Sequence, residues 1–566
     1  MRPVKLVLMW HMHQPDYRHY DTRVFEMPWV YLHAIKDYTD MACHLETHPQ
    51  IKAVVNFVPI LLDQIEDYVE QFSSGQIRDP LLRLLATPDL GKISDADREH
   101  ILTNCFKGNH NTMLKPYPAY ERLHDLYETL QKKGAGELIY FSEQYFADLL
   151  VWYHLAWTGE SVRRQNETVM QLMAKCERFS HAERIQLFNL IGELIRALIP
   201  RYRKLAERGQ IELSATPHYH PLSPLLMDFT AARDSIPKAA LPVNTQYPGG
   251  RTRVAFHLES ALESHAKRFA AKPTGIWPAE GAISPAFIQI LAESGCQWCA
   301  SGEGVLANSL RKSYPDTALP DRNRYLYRPY RMQELDNTAC FFRDDQLSDL
   351  IGFEYAKWFG RDAAEHFIHS IEQIAHHALA EENPVVSVIL DGENAWEYYP
   401  YNGFYFLDDL YSLLENHNDI HTTTYRDYIA SPEYADHVVS LPVLTAGSWV
   451  YGTFSTWIGD PEKNHAWDLL CAAKQSYDLV IQSDRLTDEE KAEACLQLAS
   501  CESSDWFWWF GDYNQADTVV RFDQLYRDNL ENLYRLLKLP VPATINEPIS
   551  KGDEHAAEGG TMRRSS

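Results

Sequence analysis

The sequence has few cysteines and no long apolar stretch. Nine cysteines in 566 residues are too sparse for a disulfide framework. No segment approaches the roughly 20 apolar residues that a membrane-spanning helix needs. The N-terminal MRPVKLVLMWHMHQP has too short an apolar run for a signal peptide, and no small-residue cleavage site follows it. We therefore expect a cytoplasmic protein with no membrane partner.

Basic residues are also in short supply. The chain has 53 Lys and Arg against 78 Asp and Glu, which gives a formal net charge of −25 and a pI near 5.4. This charge argues against nucleic acid or an anionic membrane surface as a partner. The composition, 45% hydrophobic and 23% charged, is that of a folded protein, and the length is sufficient for more than one domain.

Aromatic residues, by contrast, are abundant. The chain has 14 Trp and 32 Tyr. Rings with a polar edge suit flat, hydroxylated ligands such as sugars, whose apolar faces stack on them. The alternative is that these rings fill the core, and composition alone leaves both interpretations open.

Short apolar runs alternate with helical patterns along most of the chain. Strands are predicted at residues 4–10, 53–57, 210–215, 274–277, 297–301 and 385–390, and long helices at 182–208 and 362–382. This order predicts a parallel β/α barrel over residues 1–431, with a mostly helical insertion at about 71–180. Helical patterns at 464–483, 487–498 and 515–537 predict a C-terminal helical domain over 432–539, and residues 540–566 are predicted to be a disordered tail.

Polar residues at the ends of barrel strands are the candidates for chemistry, because the active sites of barrels lie at the C-terminal face. His11 and His13 alternate at the end of the first strand and therefore share a face. Glu212 lies inside an apolar strand, where it is either a site residue or half of a salt bridge. His220 follows in the segment His218-Tyr219-His220-Pro221.

Two further acids follow strands. Glu280 lies between a strand and a helix capped by Ser284, where it is either catalytic or a partner of the helix N-terminus. Asp391 directly follows an apolar strand, where it is either a proton donor with a raised pKa or part of an Asp-Gly turn. Two carboxyl groups at one rim of a barrel are what cleavage of a glycosidic bond requires.

Four segments together resemble glycoside hydrolase family 57, closest to its amylase and amylopullulanase branch. They are His13-Gln14-Pro15, residues 209–212 with the extension His220-Pro221-Leu222-Ser223-Pro224-Leu225, Trp277-Pro278-Ala279-Glu280-Gly281, and Asp391-Gly392-Glu393-Asn394-Ala395-Trp396-Glu397. The segments Thr456-Trp457-Ile458-Gly459-Asp460-Pro461, Ser504-Asp505-Trp506-Phe507-Trp508-Trp509 and residues 342–353 also resemble the family.

The resemblance implies an incomplete (β/α)7 barrel followed by a helical region. It also implies a retaining double displacement on α-linked glucans without a metal or cofactor, with Glu280 as nucleophile and Asp391 as acid/base. Retention requires the two carboxyl groups to lie roughly 5–5.5 Å apart. The predicted substrate-binding residues are His11, His13, Glu212, His220, Trp277, Trp396, Trp457 and Trp506.

Other activities stay open at this stage. The main prediction is hydrolysis of α-1,4 bonds, with α-1,6 bonds as a further target, and the alternatives with the same site are a 4-α-glucanotransferase and a branching enzyme. A zinc-dependent hydrolase or deacetylase would use the ligands His11, His13, His218, His220 and Asp391. A non-catalytic glucan-binding protein is the last alternative, and the oligomeric state is left open.

Two further features bear on these alternatives. Gly302-Glu303 stands where the family often has an Asp-Glu pair, which could change substrate preference. Cys296 and Cys299 form an isolated C-x-x-C, which we expect to be packing residues and not a zinc site.

Overall fold

Seven parallel strands form a closed ring at the centre of the computed structural model, which describes residues 2–132, 137–333, 335–378 and 383–553. The ring order is β8-β1-β2-β3-β4-β5-β7, and pairing of Arg343 with Ser387 joins β7 back to β8. The predicted (β/α)7 barrel is therefore confirmed. The strands of the structure are β1 Val4–Met12, β2 Ala53–Phe57, β3 Ile211–Ala215, β4 Gly275–Ile276, β5 Trp298–Gly302, β6 Tyr330–Met332, β7 Leu335–Arg343, β8 Val385–Asp391, β9 Ile420–Thr422 and β10 Val439–Leu441.

Helices surround this ring. Those that follow barrel strands or pack beside them are Pro59–Ser74, His181–Glu207, Ser223–Met227, Ala232–Ser235, Gly250–Phe269, Pro285–Glu293, Glu303–Ser313, Asp345–Asp349, Gly360–His377, Phe404–Glu415, Tyr425–Ile429 and Pro432–His437. The segments after β1 and before β3 add Trp29–His33, Thr39–Thr47, Pro80–Ala86, Asp95–Asn104, Pro118–Gln131, Glu143–Ala156, Glu160–Gln165 and Glu167–Lys175, so the predicted insertion is helical. The C-terminal helices are Pro461–Ile481, Asp488–Cys501, Ser504–Trp509 and Ala516–Leu536.

Local sequence signals explain several of these boundaries. The hydroxyl of Ser180 caps the helix His181–Glu207, and Glu183 completes a capping box with it. That helix ends before Gly209, whose φ of +73° lets the chain turn directly into β3. Ser284 likewise caps the helix Pro285–Glu293 by accepting from the amide of Phe287.

Some elements differ from the sequence prediction. The strands β6, β7, β9 and β10 were missed, because β6, β9 and β10 have only three residues each and β7 contains the polar residues Asp336, Asn337 and Thr338. The helix predicted at 362–382 spans Gly360–His377, and residues 379–382 lie outside the described residues.

The tail predicted to be disordered from residue 540 is ordered at its start. Ile545 and Ile549 are buried, and the carboxylate of Asp523 accepts from the amides of Ile549 and Ser550 at 2.7 and 3.0 Å. Residues 554–566 lie outside the described part of the chain. One apolar core runs from the barrel into the C-terminal helices, and the proposed domain boundaries at 431 and 539 stay predictions.

Two predictions about cysteines and membranes can be compared with the structure. All nine cysteines are free thiols, and Cys296 and Cys299 are buried, with the sulfur of Cys299 3.6 Å from that of Cys340. Within the described residues, every helix is too short or too polar to cross a membrane.

Candidate active site

A cavity of about 100 Å³ lies where the carboxyl ends of the barrel strands meet the C-terminal helices. Strand pairing explains the convergence, because β1 lies between β2 and β8 with His11 opposite Asn56 on one side and Asp391 on the other. Five of the predicted site residues, Glu280, Asp391, His11, His13 and His220, line this cavity. Its other lining residues are Gln14, Pro15, Tyr17, Glu393, Asn394, Trp449, Asp505, Trp508, Trp509 and Phe522.

Glu280 lies in a tight turn directly after β4. Its backbone has φ 60° and ψ 21°, a left-handed conformation that is uncommon for a residue with a side chain and that clusters at functional sites. Ser504 Oγ lies 2.9 Å from Oε1, and the indole nitrogen of Trp449 donates to Oε2 at 3.3 Å. Burial, together with the negative charges of Asp505 and Asp391, raises the pKa of Glu280 to about 8.

Asp391 is the last residue of β8. The side-chain amide of Asn394 donates to its Oδ2 at 2.7 Å, which fixes the orientation of the carboxyl group. Burial raises the pKa of Asp391 to about 6, while the hydrogen bond from Asn394 opposes this shift. Both candidate acids therefore hold their protons more strongly than exposed carboxyl groups do.

Three histidine rings stack beside these acids. The ring centroids of His13 and His220 are 3.8 Å apart, and those of His11 and His220 are 5.3 Å apart. Burial, with the neighbouring rings, lowers the pKa of His11 to about 3 and that of His220 well below its usual value. These two imidazoles are therefore neutral near pH 7, so each has one nitrogen that donates and one that accepts.

Hydrogen bonds link Asn56 to Glu280 through two of these rings. The distances are 2.6 Å from Asn56 Oδ1 to His11 Nδ1, 3.2 Å between the Nε2 atoms of His11 and His220, and 2.9 Å from His220 Nδ1 to Ser504 Oγ. Because the amide nitrogen of Asn56 donates to Ser214 at 2.9 Å, its oxygen must accept the proton of His11 Nδ1. The Nε2 of His11 then accepts from His220.

Ser504 is the link between this chain of bonds and Glu280. When Glu280 is ionised, Ser504 donates to its carboxylate, and this hydrogen bond opposes the effect of burial on the pKa of Glu280. When Glu280 carries the proton, Glu280 can donate to Ser504 and Ser504 to His220.

A group from the C-terminal region completes the site. His13 Nε2 lies 2.9 Å from Asp505 Oδ1, and Asp505 also accepts from the hydroxyl of Ser503. His13, His220 and Asp505 are the one group in the described part of the chain whose ligand atoms, all within 4.8 Å of one another, could hold a metal ion. This differs from the zinc alternative, because His218 instead bonds Ser260 and Asp63 at 2.7 and 2.8 Å.

Glu212 does not line the cavity. Its Oε1 accepts from the indole of Trp298 and its Oε2 from the amide of Arg426, both at 2.8 Å. The side chain is buried, and burial raises its pKa. Both oxygens are thus bonded within the barrel interior, and the predicted role of Glu212 in substrate binding stays a prediction.

The four tryptophans predicted to bind substrate are buried in the core of this structure. Trp277, Trp396, Trp457 and Trp506 are at most 1% exposed, so they offer no ring face to a ligand. Two of them contact residues next to the site. The indole of Trp396 donates to the carbonyl of Gly392, the neighbour of Asp391, at 2.9 Å. Trp277 packs edge-on against Trp449 at 5.3 Å.

The tryptophans that do line the cavity are Trp449, Trp508 and Trp509, and Tyr17 and Phe522 add further aromatic rings. From the segment 504–509 only Trp506 is predicted as a site residue, and Trp449, Ser504 and Asp505 are not predicted from the sequence. Asn56 could have been predicted, because it is the one polar residue in the apolar strand β2. For Ser504 and Asp505 no local pattern indicates that they meet β1 and Glu280.

The segment 342–353 and Glu303 form an ionic network next to this site. Arg343 donates to the carbonyl of Ile389 at 2.8 Å and to Asp345 at 2.7 Å, and its guanidinium lies 5.6 Å from the ring of Trp449. Glu303 pairs with Arg322 at 2.6 Å. Through Arg343, this network therefore contacts the ring of Trp449, whose indole donates to Glu280.

A second cavity of about 440 Å³ adjoins the first. It shares with the first cavity the residues Gln14, Tyr17, Glu393, Asn394, Trp509 and Phe522. Its walls add Trp29, Trp157 and Tyr398. A ligand at Asp391 can thus continue into an aromatic-lined space.

Paired acids at the strand ends of a parallel barrel are the arrangement of an enzyme that acts on glycosidic bonds. The sequence model described as glycosyl hydrolase family 57 matches residues 7–442, and the chain belongs to that family.

Solved structures with the same fold support this assignment. A family 57 branching enzyme from Thermococcus kodakaraensis is 16% identical, with a TM-score of 0.58, over 94% of this chain and 90% of its own. A branching enzyme from Pyrococcus horikoshii is 15% identical, with a TM-score of 0.56, over 98% of both chains. The α-amylase AmyC from Thermotoga maritima is 14% identical, with a TM-score of 0.55, over 95% of this chain and 93% of its own. A sequence comparison with curated proteins gives no significant match.

Proposed function

We propose that this chain is a retaining α-glucan hydrolase of the amylase and amylopullulanase type. One observation carries the proposal: Glu280 and Asp391, from different strands, line the same cavity, and burial raises the pKa of each. Neutral imidazoles and indole rings in the same cavity supply hydrogen bonds and apolar surface for one sugar ring. The substrate bonds are α-1,4 linkages, with α-1,6 linkages as a second target to be measured.

The reaction has two balanced steps. In the first, the carboxylate of Glu280 attacks the anomeric carbon while the carboxyl of Asp391 gives its proton to the departing glycosidic oxygen. The carbon–oxygen bond to the leaving sugar breaks, and a glycosyl ester to Glu280 forms. In the second, Asp391 takes a proton from water, the water oxygen attacks the same carbon, and the ester bond breaks to regenerate Glu280.

The order of the two pKa values means that most of the singly protonated enzyme carries its proton on Glu280. The form that the reaction needs, with a proton on Asp391 and a charge on Glu280, is therefore the minor one. Positive charge that develops on the sugar carbon stabilises the carboxylate of Glu280 and favours this reactive form.

Two buried polar atoms support the binding of sugar hydroxyls. His13 Nδ1 and Glu393 Oε2 have no hydrogen-bond partner among the described residues, and both side chains line the cavity. Burial, with the charge of Asp391, raises the pKa of Glu393 well above its usual value, so this group is a neutral acid that both donates and accepts. Sugar hydroxyls in the cavity would satisfy these atoms.

The test is product analysis on maltoheptaose, amylose and pullulan. We expect shorter oligosaccharides whose new reducing ends are initially in the α-configuration by proton NMR. Glu280→Gln should remove turnover, whereas Glu293→Gln, at an exposed carboxylate, should leave it unchanged. A folded sample that cleaves none of these glucans, or full activity of Glu280→Gln, would refute the proposal. Binding of glycogen without cleavage would instead indicate a non-catalytic glucan-binding protein.

The second candidate is transfer to another glucan, as in a 4-α-glucanotransferase or branching enzyme. The aromatic-lined cavity beside Asp391 favours it, because an acceptor sugar held there would exclude water from the glycosyl ester. Products longer than the starting maltodextrin, or new α-1,6 branches, would identify transfer.

A further inference from the structure

Exposed aromatic side chains lead away from the second cavity across the surface after β8. We name Tyr398, Tyr401, Tyr405, Phe359 and Trp358 the aromatic track. Their exposed fractions are 40%, 54%, 48%, 74% and 42%. Large rings with this much exposed surface cost solvation free energy, so a row of them indicates a ligand surface.

The track begins inside the proposed substrate path. Tyr398 forms part of the wall of the 440 Å³ cavity, which adjoins the cavity of Glu280 and Asp391 and shares six wall residues with it. Tyr401 follows in the same loop, which the hydrogen bond from Thr112 to the carbonyl of Glu397 ties to the helical insertion. The rings of Tyr401 and Tyr405 lie 5.5 Å apart at 89°.

The backbone holds these rings outward. Tyr401 and Asn402 both have φ of 55°, and Gly403 has φ of 71°. The amide of Asn402 donates to Asp40 at 2.8 Å, which anchors this left-handed run. This hydrogen bond therefore fixes the loop that carries Tyr401.

Phe359 and Trp358, which directly precede the helix Gly360–His377, extend the track. Gly360 packs so closely on Tyr405 that an added Cβ would lie 3.2 Å from its carbonyl carbon. The guanidinium of Arg164 lies 4.8 Å from the ring centroid of Tyr405 and pairs with Glu160 at 2.8 Å. The surface thus offers ring faces, phenol hydroxyls and an arginine.

We infer that the aromatic track binds a distal stretch of a long α-glucan chain whose cleaved end lies at Glu280 and Asp391. The identity of the ligand rests on the proposed function. Sugar rings stack their apolar faces on aromatic rings, and their hydroxyls bond phenol and guanidinium groups. The track begins at a cavity that shares walls with the catalytic cavity. A polymer that reaches from one to the other therefore fits this arrangement better than a separate small molecule does.

The experiment is native gel electrophoresis in gels that contain glycogen, with all chains carrying Glu280→Gln so that the polymer stays intact. The test variant is Phe359→Ala/Tyr401→Ala/Tyr405→Ala. We expect its apparent Kd for glycogen to rise about tenfold. Tyr140→Ala/Tyr314→Ala, at rings that are 70% and 51% exposed elsewhere, should leave retardation unchanged. Tyr401→Phe/Tyr405→Phe keeps the rings and should retain most of the binding.

Turnover by chains with Glu280 intact separates this inference from the proposed function. The triple variant should cleave maltopentaose at the normal rate and glycogen more slowly, and normal maltopentaose turnover also shows that it is folded. Wild-type retardation of the triple variant would overturn the inference while leaving the chemistry intact. If the triple variant lost retardation and the chain with Glu280 and the track intact cleaved no glucan, the aromatic track would still be a glucan-binding surface, but the proposed catalytic reaction would be refuted. Dissociation of a dimer by the triple variant, with glycogen binding unchanged, would assign the surface to self-association and overturn the inference.

Discussion

The hydroxyl oxygen of Ser504 lies 2.9 Å from Oε1 of Glu280, although 224 positions separate the two residues. The C-terminal helices thus supply a hydrogen-bonding partner for the proposed nucleophile, and Asp505, the next residue, contacts His13, which directly follows β1. Ser504 and Asp505 shift the pKa of Glu280 in opposite directions. The hydrogen bond from Ser504 lowers this pKa, whereas the negative charge of Asp505 raises it.

Ser504→Ala should lower kcat/KM about 10- to 100-fold. Loss of a hydrogen bond to a charged group costs about 1.5–3 kcal/mol, and Glu280 would ionise less readily without it. The alkaline limb of the pH profile should move to higher pH. Ser309→Ala, at a buried serine that bonds the carbonyl of Val305, is the matched control. An unchanged alkaline limb in Ser504→Ala would contradict the assignment.

The pH profile of kcat/KM should be bell-shaped, with limbs near pH 6 and pH 8. Below the lower value both carboxyl groups are protonated and the nucleophile is neutral. Above the higher value both are ionised and no acid is left to protonate the leaving oxygen. Stopped assays on maltoheptaose across pH 4.5–9.5 would measure both limbs.

Asp505→Asn should move the alkaline limb in the opposite direction from Ser504→Ala. Removal of the negative charge lowers the pKa of Glu280, so its last proton leaves at a lower pH. Activity should also fall, because His13 loses its charged partner at 2.9 Å. If both variants shifted the limb in the same direction, Glu280 would not be the group that titrates there.

Much of the barrel could be predicted because most of its strands are short and mainly apolar. β2 and β8 were predicted with nearly correct bounds, and Glu280 and Asp391 follow from their positions after strands. The aromatic contacts could not be predicted in the same way. Helix Ser504–Trp509 carries Trp506, Trp508 and Trp509 within two turns, and only packing against other elements determines which ring reaches the cavity.

Glu212 shows a second limit of local patterns. A carboxyl group in an apolar strand indicates a buried role, but its partners, the Trp298 indole and the amide of Arg426, come from distant parts of the chain. Catalytic and structural acids look alike until those partners are known. Asp505 lines the cavity, but its sequence neighbours do not indicate this, because its partner His13 lies 492 positions away in the chain.

Removal of metal ions should leave activity unchanged. His13, His220 and Asp505 are close enough to hold a metal, but Nε2 of His13 already bonds Asp505, and the two nitrogens of His220 bond His11 and Ser504. Dialysis against EDTA followed by assay on maltoheptaose should give the original rate within twofold. Stoichiometric zinc in the purified protein, with activity lost to the chelator and restored by zinc, would instead support the zinc-dependent alternative.

Arg253→Met should destabilise the protein by about 3–5 kcal/mol, because it leaves the fully buried carboxylate of Glu502 without its cation. Arg253 Nε lies 2.8 Å from Glu502 Oε1, and although burial opposes it, the charge of Arg253 helps to hold the pKa of Glu502 at about 2. Thermal and urea unfolding would measure the loss. Arg251→Met on the same helix breaks only an exposed pair with Glu293 and should cost at most about 1 kcal/mol.

The double variant Arg253→Met/Glu502→Leu distinguishes an unpaired charge from lost packing. Since apolar residues often replace a buried ion pair without loss, we expect it to recover most of the stability. Glu502 directly precedes Ser503 and Ser504, so Arg253→Met should also lower turnover by displacing the partner of Glu280. If the double variant were no more stable than Arg253→Met, packing by the arginine side chain, and not its charge, would hold the C-terminal helices against the barrel.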